Sequence, residues 1–269
     1  MADDRKSLHI ANDGTQVLAV NVGNAVTKLG LFGGSDLLAT WVVTTPSVIT
    51  VSEVQTVLLN FARSYSFDWN ITGSIVSSVA PRITDAWTAA LSQECGRRPL
   101  VVGPGLKSGI KLGYSDPSEI GADRIADMVG ARELFGSPLV VVNLEAATTL
   151  EVIDDNGDFV GGVIAPGLES SASTLSAIAA KIPVIDLKAP SSVIGKSTRE
   201  AVQSGVILGE IARIDGLVQM IWKELGYQTK VVAAGSGAAV IKALSKTVDE
   251  TIENLTLRGL KLLYDRNTR

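Results

Sequence analysis

The chain contains very little histidine, cysteine or aromatic side chain. Of its 269 residues, one is histidine, one is cysteine and 5% are aromatic. The histidine, His9, lies in a polar N-terminal stretch, which argues against histidine-based catalysis, and one histidine excludes a multi-histidine metal site within one chain. The single cysteine, Cys95, excludes an internal disulfide and is typical of a reducing compartment. We therefore expect a cytoplasmic protein.

Long apolar runs and clusters of positive charge are also missing. No apolar run approaches the roughly 20 residues that span a bilayer. Residues 1–15 lack the apolar core of a signal peptide and predict a disordered N-terminal tail. The formal net charge is −4, with acids and bases mixed along the chain and no basic stripe. These features predict neither a membrane nor a nucleic acid as a partner.

What the sequence does contain favours an α/β fold. Hydrophobic residues make up 46% of the chain, and there are 26 glycines. This length can bury a large core, in one large domain or two moderate ones. Frequent glycine with few aromatics is more typical of alternating strands and helices joined by tight turns than of a helical bundle.

The most informative positive feature is a strand–turn–strand pattern that occurs twice. Residues 17–27 align without a gap on residues 139–149. In each copy four apolar residues lead into an asparagine, Asn21 or Asn143, followed by a short turn and a second strand. A buried strand that ends in a polar residue at a tight turn can present side chains and backbone N–H groups to a phosphate. Two copies predict a duplicated fold with one nucleotide cleft between its halves.

The remaining periodicities complete two similar halves, at residues 16–116 and 117–269. The first half is predicted to have a hairpin over 17–32, strands at 37–43, 71–79 and 99–102, and helices at 53–64 and 83–94. In the second half, Asp116, Pro117 and Glu119 predict a capped helix that runs to about Phe135. The repeated strand pair follows, then strands at 159–164 and 230–234 and helices at 168–180, 198–225 and 252–264. Glycine-containing segments at 33–36 and 155–157 predict hairpin turns after the second strand of each repeated pair. This layout resembles the actin/hexokinase-like (ribonuclease H-like) ATPases, in which two similar halves surround a central cleft.

Several longer motifs resemble those of one branch of that superfamily, the type III pantothenate kinases. The resemblance covers nearly everything from Leu18 to Arg266. Its motifs are Tyr114–Pro117 with Gly121-Ala122-Asp123-Arg124, Gly161–Gly167, Ile194–Gly205, Ser77–Pro81 and Leu255–Leu260. The resemblance implies ATP-dependent phosphorylation of the 4′-hydroxyl of pantothenate, the first step toward coenzyme A, by a dimer whose pantothenate pocket lies at the subunit interface.

The same resemblance implies roles for individual residues. Asp123 would be the general base, and pantothenate would contact Tyr114, Gly121, Ala122, Arg124 and Thr198. ATP would contact Asn21, Gly23, Asn24, Lys28, Ala146, Thr148 and Gly235. Asn143 would take the place of a metal ligand, with Mg²⁺ and a monovalent cation, K⁺ or NH4⁺, as cofactors. The structural alternatives are a surface charge pattern for Asp123, a plain salt bridge for Arg124, an ordinary loop position for Tyr114 and a helix cap for Thr198.

The nucleotide-side turns depart from the family pattern. The first turn usually reads Asp-x-Gly-Asn-Thr, and here Asn21 replaces the acid and Ala25 the hydroxyl. The second usually reads Asp-x-Gly-Thr-Ala-Thr, and here Asn143 replaces the acid, Glu145 the glycine and Ala146 the first threonine. A Thr-Gly-Gly turn is replaced by Ala234-Gly235-Ser236. Asparagine brings no negative charge to a hard cation, and Glu145 brings a charge of the wrong sign to a phosphate. Impaired ATP chemistry is therefore expected in the isolated chain.

Four functional hypotheses remain open at this point. The chain could be a slow pantothenate kinase, as a homodimer. It could be a catalytically silent subunit in a heterodimer with an intact paralogue. It could be a pseudo-kinase that binds pantothenate and regulates another process. It could also be a decayed duplicate without a ligand. Binding of pantothenate with or without ATP separates these hypotheses.

Overall fold

The computed structural model describes residues 15–64, 69–178 and 185–268. The first half contains β1 (Gln16–Val22), β2 (Val26–Gly33), β3 (Asp36–Thr44), α1 (Val51–Ser64), β4 (Ile71–Ser78), α2 (Pro81–Cys95) and β5 (Leu100–Val101). The second contains α3 (Ala122–Phe135), β6 (Leu139–Leu144), β7 (Ala147–Ile153), β8 (Phe159–Pro166), α4 (Leu168–Ile178), α5 (Thr198–Gln203), α6 (Gly209–Leu225), β9 (Lys230–Gly235), α7 (Ala238–Leu244), β10 (Glu250–Ile252) and α8 (Leu255–Thr268).

The two halves contain five-stranded sheets of the same topology. The first sheet has the order β3-β2-β1-β4-β5, and the second, read from the corresponding edge, has the order β8-β7-β6-β9-β10. In each sheet three antiparallel strands are followed by two strands parallel to the central one. The tight turns predicted at Gly33–Asp36 and Asp155–Gly157 join neighbouring strands, with Gly34 and Gly157 at positive φ as such turns require. The predicted duplicated fold is confirmed.

Helices and sheets alternate in five layers. One core cluster joins the first sheet to α1 and α2, and another joins the second sheet to α4–α7. Between the sheets, α3 and α8 form a central layer, in which Met128 of α3 and Leu260 of α8 are fully buried. The strand ends that carry the two repeated turns therefore meet across this central layer. The last helix of the chain thus completes the core of the first half.

The structure differs from the predicted elements in several places. The helix predicted from Pro117 is a single 3₁₀ turn (Pro117–Glu119) capped by Asp116, and the chain is extended at Ile120 before α3 begins. The helix predicted over 198–225 contains a π-helical turn at Ser204–Leu208. The helix predicted from Ile252 begins at Leu255, because Ile252 pairs with Ala234 as the end of β10. The short α7 and β10 were missed.

Some expectations fall outside the described residues. The predicted tail, apart from Thr15, lies there together with His9, as does the end of the helix predicted over 168–180. Within the ranges that the structure covers, none of the helices is both long and apolar enough to cross a membrane.

Candidate functional site

Asp123 lies in the first turn of α3. Its Oδ1 accepts a hydrogen bond from the backbone N–H of Arg124 at 2.8 Å. A Cβ atom at Gly121 would lie 2.6 Å from the same oxygen, so glycine there leaves room for the carboxylate. Burial raises the pKa of Asp123 above its usual 3.8, although the backbone hydrogen bond and the charge of Arg124 act in the opposite direction. The carboxylate thus has a higher proton affinity than one in water.

Arg124 is buried beside Asp123 and forms an ion pair with Glu151 of β7. Its Nε donates to Glu151 Oε1 at 2.7 Å. The guanidinium carbon lies 5.9 Å from the centre of the Tyr114 ring and 5.6 Å from that of Phe159. Burial opposes the positive charge, but Glu151 outweighs it and raises the pKa of Arg124. The Nη2 atom is buried without a hydrogen bond in the described part of the chain. The salt bridge expected from the sequence as the alternative role of Arg124 is therefore present, and the Nη2 donor of Arg124 remains unused.

A cavity of about 570 Å³ opens between the two halves next to the start of α3. Its walls are the end of β4 at Ser78 and Val79, residues 102–106 after β5, and residues 116–122. Of the predicted substrate-side residues, Gly121 and Ala122 line the cavity, whereas Tyr114, Asp123, Arg124 and Thr198 do not. Among its described walls the charged side chains are Asp116 and Glu119. The cavity is mostly apolar, as small-molecule pockets commonly are.

One helical turn after Asp123, a carboxylate is buried against the second repeated turn. Asp127 accepts a hydrogen bond from Asn143 Nδ2 at 2.5 Å and another from Thr256 Oγ1 at 2.6 Å. Its side chain is fully buried, and this burial raises its pKa well above the usual value. From the sequence, Asn143 takes the position where the family has a metal ligand. In the structure its side chain is held by the hydrogen bond that its amide nitrogen donates to Asp127. Its Oδ1 is buried and accepts no hydrogen bond from the described residues.

The first repeated turn contains a matching feature. Asn21 Oδ1 is also buried without a partner among the residues described. A Cβ atom at Gly23 would lie 2.7 Å from the carbonyl oxygen of Val26, so the turn requires glycine there. In the second half, a Cβ atom at Gly235 would lie 2.9 Å from Asn143 Oδ1, and Gly235 itself has a φ of 94°. The first turn therefore contains a required glycine, and in the second half the glycine next to the unused asparagine oxygen is Gly235, at the end of β9.

The two turns are joined by an ion pair. Lys28 of β2 donates from Nζ to Glu145 Oε1 at 2.5 Å, and the side chains are 25% and 30% exposed. Lys28 stands directly opposite Asn21 in the β1–β2 register. Glu145 therefore points across the cleft, and its carboxylate holds the lysine predicted to contact ATP.

The other predicted residues are placed as follows. Thr148 is fully buried, and its hydroxyl donates to Glu210 Oε1 at 2.6 Å. Ala146 and Asn24 are exposed in their turns. Thr198 is exposed in the first turn of α5, where Ser197, not Thr198, is the N-cap. Thr198 is not among the residues that line the cavity beside α3.

A tightly held divalent cation does not fit the side chains present. Such a cation prefers several oxygen ligands and usually carboxylates. At the two turns the free buried acceptors among the described residues are the neutral oxygens of Asn21 and Asn143, while Glu145 is paired with Lys28. A further free oxygen, Glu151 Oε2, belongs to the carboxylate that pairs with Arg124. Across the described ranges, no group of three or more His, Cys, Asp or Glu residues lies close enough to bind a metal. A metal would therefore depend mainly on the phosphates that it accompanies.

Sequence reasoning missed three parts of this site. In the sequence, Glu151 is an acid inside an apolar strand, and nothing there indicates its partner. No pattern in the sequence indicates that Thr256 belongs to the site. Asp127 lies four residues after Asp123, which is the spacing that places two side chains on one helix face. That spacing was the available signal for a buried acid.

Comparison with known proteins identifies the family of the chain. Residues 17–220 match the family model described as type III pantothenate kinase. The chain is 37% identical over 253 residues to a type III pantothenate kinase of Moorella thermoacetica, which covers 94% of this chain and 100% of the relative. It is 36% identical over 256 residues to one of Geobacillus thermodenitrificans, covering 94% and 98%.

Solved structures agree at the level of the fold. A candidate 2-dehydro-3-deoxygalactonokinase of Sinorhizobium meliloti superposes with a TM-score of 0.55 at 13% identity, covering 93% of this chain and 96% of the other. Its likeness extends across both halves and the cleft. With a family model over most of the chain and relatives matched over nearly their whole length, the chain belongs to the type III pantothenate kinase family.

Proposed function

We propose that the chain binds pantothenate in the cavity beside α3 and slowly transfers the γ-phosphoryl group of ATP to its 4′-hydroxyl, giving 4′-phosphopantothenate. The family implies the use of ATP and a divalent metal. The observation that carries the proposal is the position of Asp123, next to the two residues, Gly121 and Ala122, that line the cavity.

Asp123 is the proposed general base. A base must lie within hydrogen-bond reach of the hydroxyl and must be unprotonated at the working pH. Burial raises its pKa above 3.8, which strengthens it as a proton acceptor. Beside it, Arg124 is fixed by Glu151 and has one unused donor, Nη2. These features support Arg124 as the group that orients a polar part of the substrate.

Slow turnover is proposed because the phosphate side offers little charge of the right sign. Phosphoryl transfer depends on positioning and on neutralising the charge of the phosphates. Here the asparagine oxygens are neutral, and Lys28 is occupied by Glu145. The unused Asn143 oxygen beside Gly235 supports a weakly bound monovalent cation, K⁺ or NH4⁺, more than a divalent one. ATP contacts at Asn21, Gly23, Asn24, Ala146, Thr148 and Gly235 belong to the same proposal.

The active form is proposed to be a dimer. Thr198 is exposed on α5, away from the cavity, so that it could serve a pocket only through a second subunit. Val193 and Ile194, just before it, are 73% and 78% exposed. Large apolar side chains exposed together are typical of protein interfaces. They support a homodimer, or a heterodimer with an intact paralogue.

The second candidate is a pantothenate-binding subunit or pseudo-kinase without turnover of its own. The Lys28–Glu145 pair favours it, because the cation nearest the first turn is already neutralised.

Calorimetric titration tests both candidates. Purified protein is titrated with pantothenate and, separately, with Mg·ATP, and product formation is followed by mass spectrometry. The kinase proposal expects pantothenate binding and slow formation of 4′-phosphopantothenate. Pantothenate binding without product supports the second candidate. Absence of pantothenate binding contradicts both.

A further inference from the structure

The Lys28–Glu145 ion pair lies where the two repeated turns face each other. Lys28 belongs to the strand that follows the first turn, and Glu145 belongs to the second turn itself. The backbone N–H of Glu145 donates to Ala147 O at 3.1 Å, which fixes the direction in which the side chain leaves the turn. The pair therefore links the two halves at the mouth of the nucleotide cleft.

A carboxylate in this position resembles a phosphate chemically. Both present negatively charged oxygens, and a lysine ammonium binds either one as a point charge. Lys28 can satisfy Glu145 or a phosphate oxygen at the same place, but the two anions repel each other if both are present. The side chains are about a quarter to a third exposed, so water can separate them, and such pairs are individually weak.

We propose that Glu145 sets the nucleotide affinity of this chain by occupying the phosphate position on Lys28. ATP binds only when its phosphates displace the Glu145 carboxylate from the lysine, and the displaced carboxylate remains nearby as an unfavourable charge. The proposal rests on the nucleotide-binding part of the proposed function and is independent of pantothenate binding.

An alternative role for Glu145 predicts the opposite change in Mg·ATP affinity. Glu145 lies two residues after Asn143, and its carboxylate could instead replace the missing acid as a ligand for the metal that accompanies ATP. In that case removing the carboxylate would weaken Mg·ATP binding. Under our proposal the same change strengthens it.

The experiment is calorimetric titration of Mg·ATP into wild-type protein and two variants. Glu145→Gln keeps the size of the side chain and removes its charge, and Glu145→Gly removes the side chain. Both are expected to lower the Kd for Mg·ATP at least about 10-fold, which corresponds to about 1.4 kcal/mol. In a Glu145→Gly background, Lys28→Ala is expected to reverse most of this gain, because the freed lysine is what binds the phosphate.

A matched control is available in the same chain. Lys230 and Glu250 form another Lys–Glu pair at 2.5 Å, on the strands β9 and β10. Glu250→Gln removes the same charge from that pair and is expected to leave the Kd for Mg·ATP unchanged. Thermal melting of each variant verifies that it is folded at the titration temperature.

Each outcome has a defined meaning. Unchanged or weaker Mg·ATP binding in both Glu145 variants overturns the proposal, and weaker binding favours the metal-ligand rival. If only Glu145→Gly gains affinity for Mg·ATP, the role of charge is overturned. Glu145→Gln removes the charge but keeps the size of the side chain, so that result would mean that size limits binding. Pantothenate is titrated in parallel. If it does not bind while the Glu145 variants gain affinity for Mg·ATP, the proposed function fails and this inference stands.

Discussion

The start of α3 and the two repeated turns differ in the charge of their polar groups. At α3, Arg124 is paired with Glu151, and Asp123 accepts from a backbone N–H. At the turns, Asn21 and Asn143 each leave a buried oxygen without a donor in the described chain, and Lys28 is bound by an acid of the opposite turn. The two repeated turns therefore present neutral oxygens and a lysine that is already paired, whereas the start of α3 presents an acid and a buried arginine.

The two turns also differ in backbone geometry. In the first turn Val22 pairs with Thr27, and glycine is required at Gly23, where a Cβ atom would lie 2.7 Å from the carbonyl oxygen of Val26. In the second turn Leu144 pairs with Thr148, so the turn is shorter, and Glu145 stands at the position of the glycine. The same position therefore differs between the two turns in both backbone geometry and charge.

The largest expected effect concerns the α3 side. Asp123→Asn removes the proposed base and keeps the size of the side chain, so formation of 4′-phosphopantothenate should fall about 10²–10⁴-fold. Mass spectrometry of the product measures this loss. Pantothenate affinity, measured by calorimetry, should change little. Equal turnover in wild type and variant would remove Asp123 from the mechanism.

Restoring acids at the two repeated turns should reduce the difference in charge between these turns and the start of α3. Asn21→Asp combined with Asn143→Asp and Asp127→Asn places one carboxylate at the end of each central strand and avoids two adjacent acids. Losing one well-placed stabilising contact costs roughly 10²–10³ in rate, so the triple variant should gain on the order of 10²-fold. Steady-state kinetics with saturating Mg·ATP measures the gain. No gain would mean that Glu145 or another group limits the rate.

Asn143→Asp alone should destabilise the protein. It would place two carboxylates at hydrogen-bond distance in a buried site, because Asn143 Nδ2 now lies 2.5 Å from Asp127 Oδ2. We expect a loss of about 2 kcal/mol of unfolding free energy at neutral pH. The double variant Asp127→Asn/Asn143→Asp should recover to within about 0.5 kcal/mol, since the pair again has one acid and one amide. Urea denaturation of the four proteins completes the cycle.

Asp127→Asn should have the smallest effect, and it depends on pH. Burial raises the pKa of Asp127 in the folded protein, so the folded state holds this proton more tightly than the unfolded state. The associated stability is complete below the usual value of 3.8 and is lost as the pH rises through the folded-state pKa. The amide cannot lose this proton.

At neutral pH the Asp127→Asn variant should therefore be more stable by on the order of 1 kcal/mol, or about 2–4 °C in Tm. Melting curves between pH 4 and pH 8 measure the difference, which should shrink toward acid. A difference that stays constant with pH would contradict the assignment of a buried acid at this position.

The sequence predicted the parts of the fold that local patterns control. The repeated strand–turn–strand pattern predicted both sheets, and the glycine-containing turns at Gly34 and Gly157 predicted their hairpins. The break at Ile120 was not predictable, since Asp116 followed by Pro117 can begin a 3₁₀ turn as well as an α-helix. The strand β10 has three residues and depends on pairing with β9.

The site was predictable where a continuous motif carries it and not where distant residues meet. Asp123 and Arg124 came from one motif. The direction of Glu145 depends on Lys28, a residue of the other half, and the burial of Arg124 depends on Glu151 of β7. Such pairings arise from the packing of the two sheets against the central layer, which single-chain periodicity does not describe.

The position of α8 has a consequence for how the chain folds during synthesis. The first sheet leaves the ribosome early, but one of its faces is covered partly by α8, a helix of 14 residues near the C-terminal end. Val17 and Ala19 of the first strand pack in the same cluster as Leu257 and Leu260. Contacts between such distant residues form slowly and late. The nascent first half must therefore wait, with an apolar face open to chaperones or to aggregation, until α8 has been synthesised.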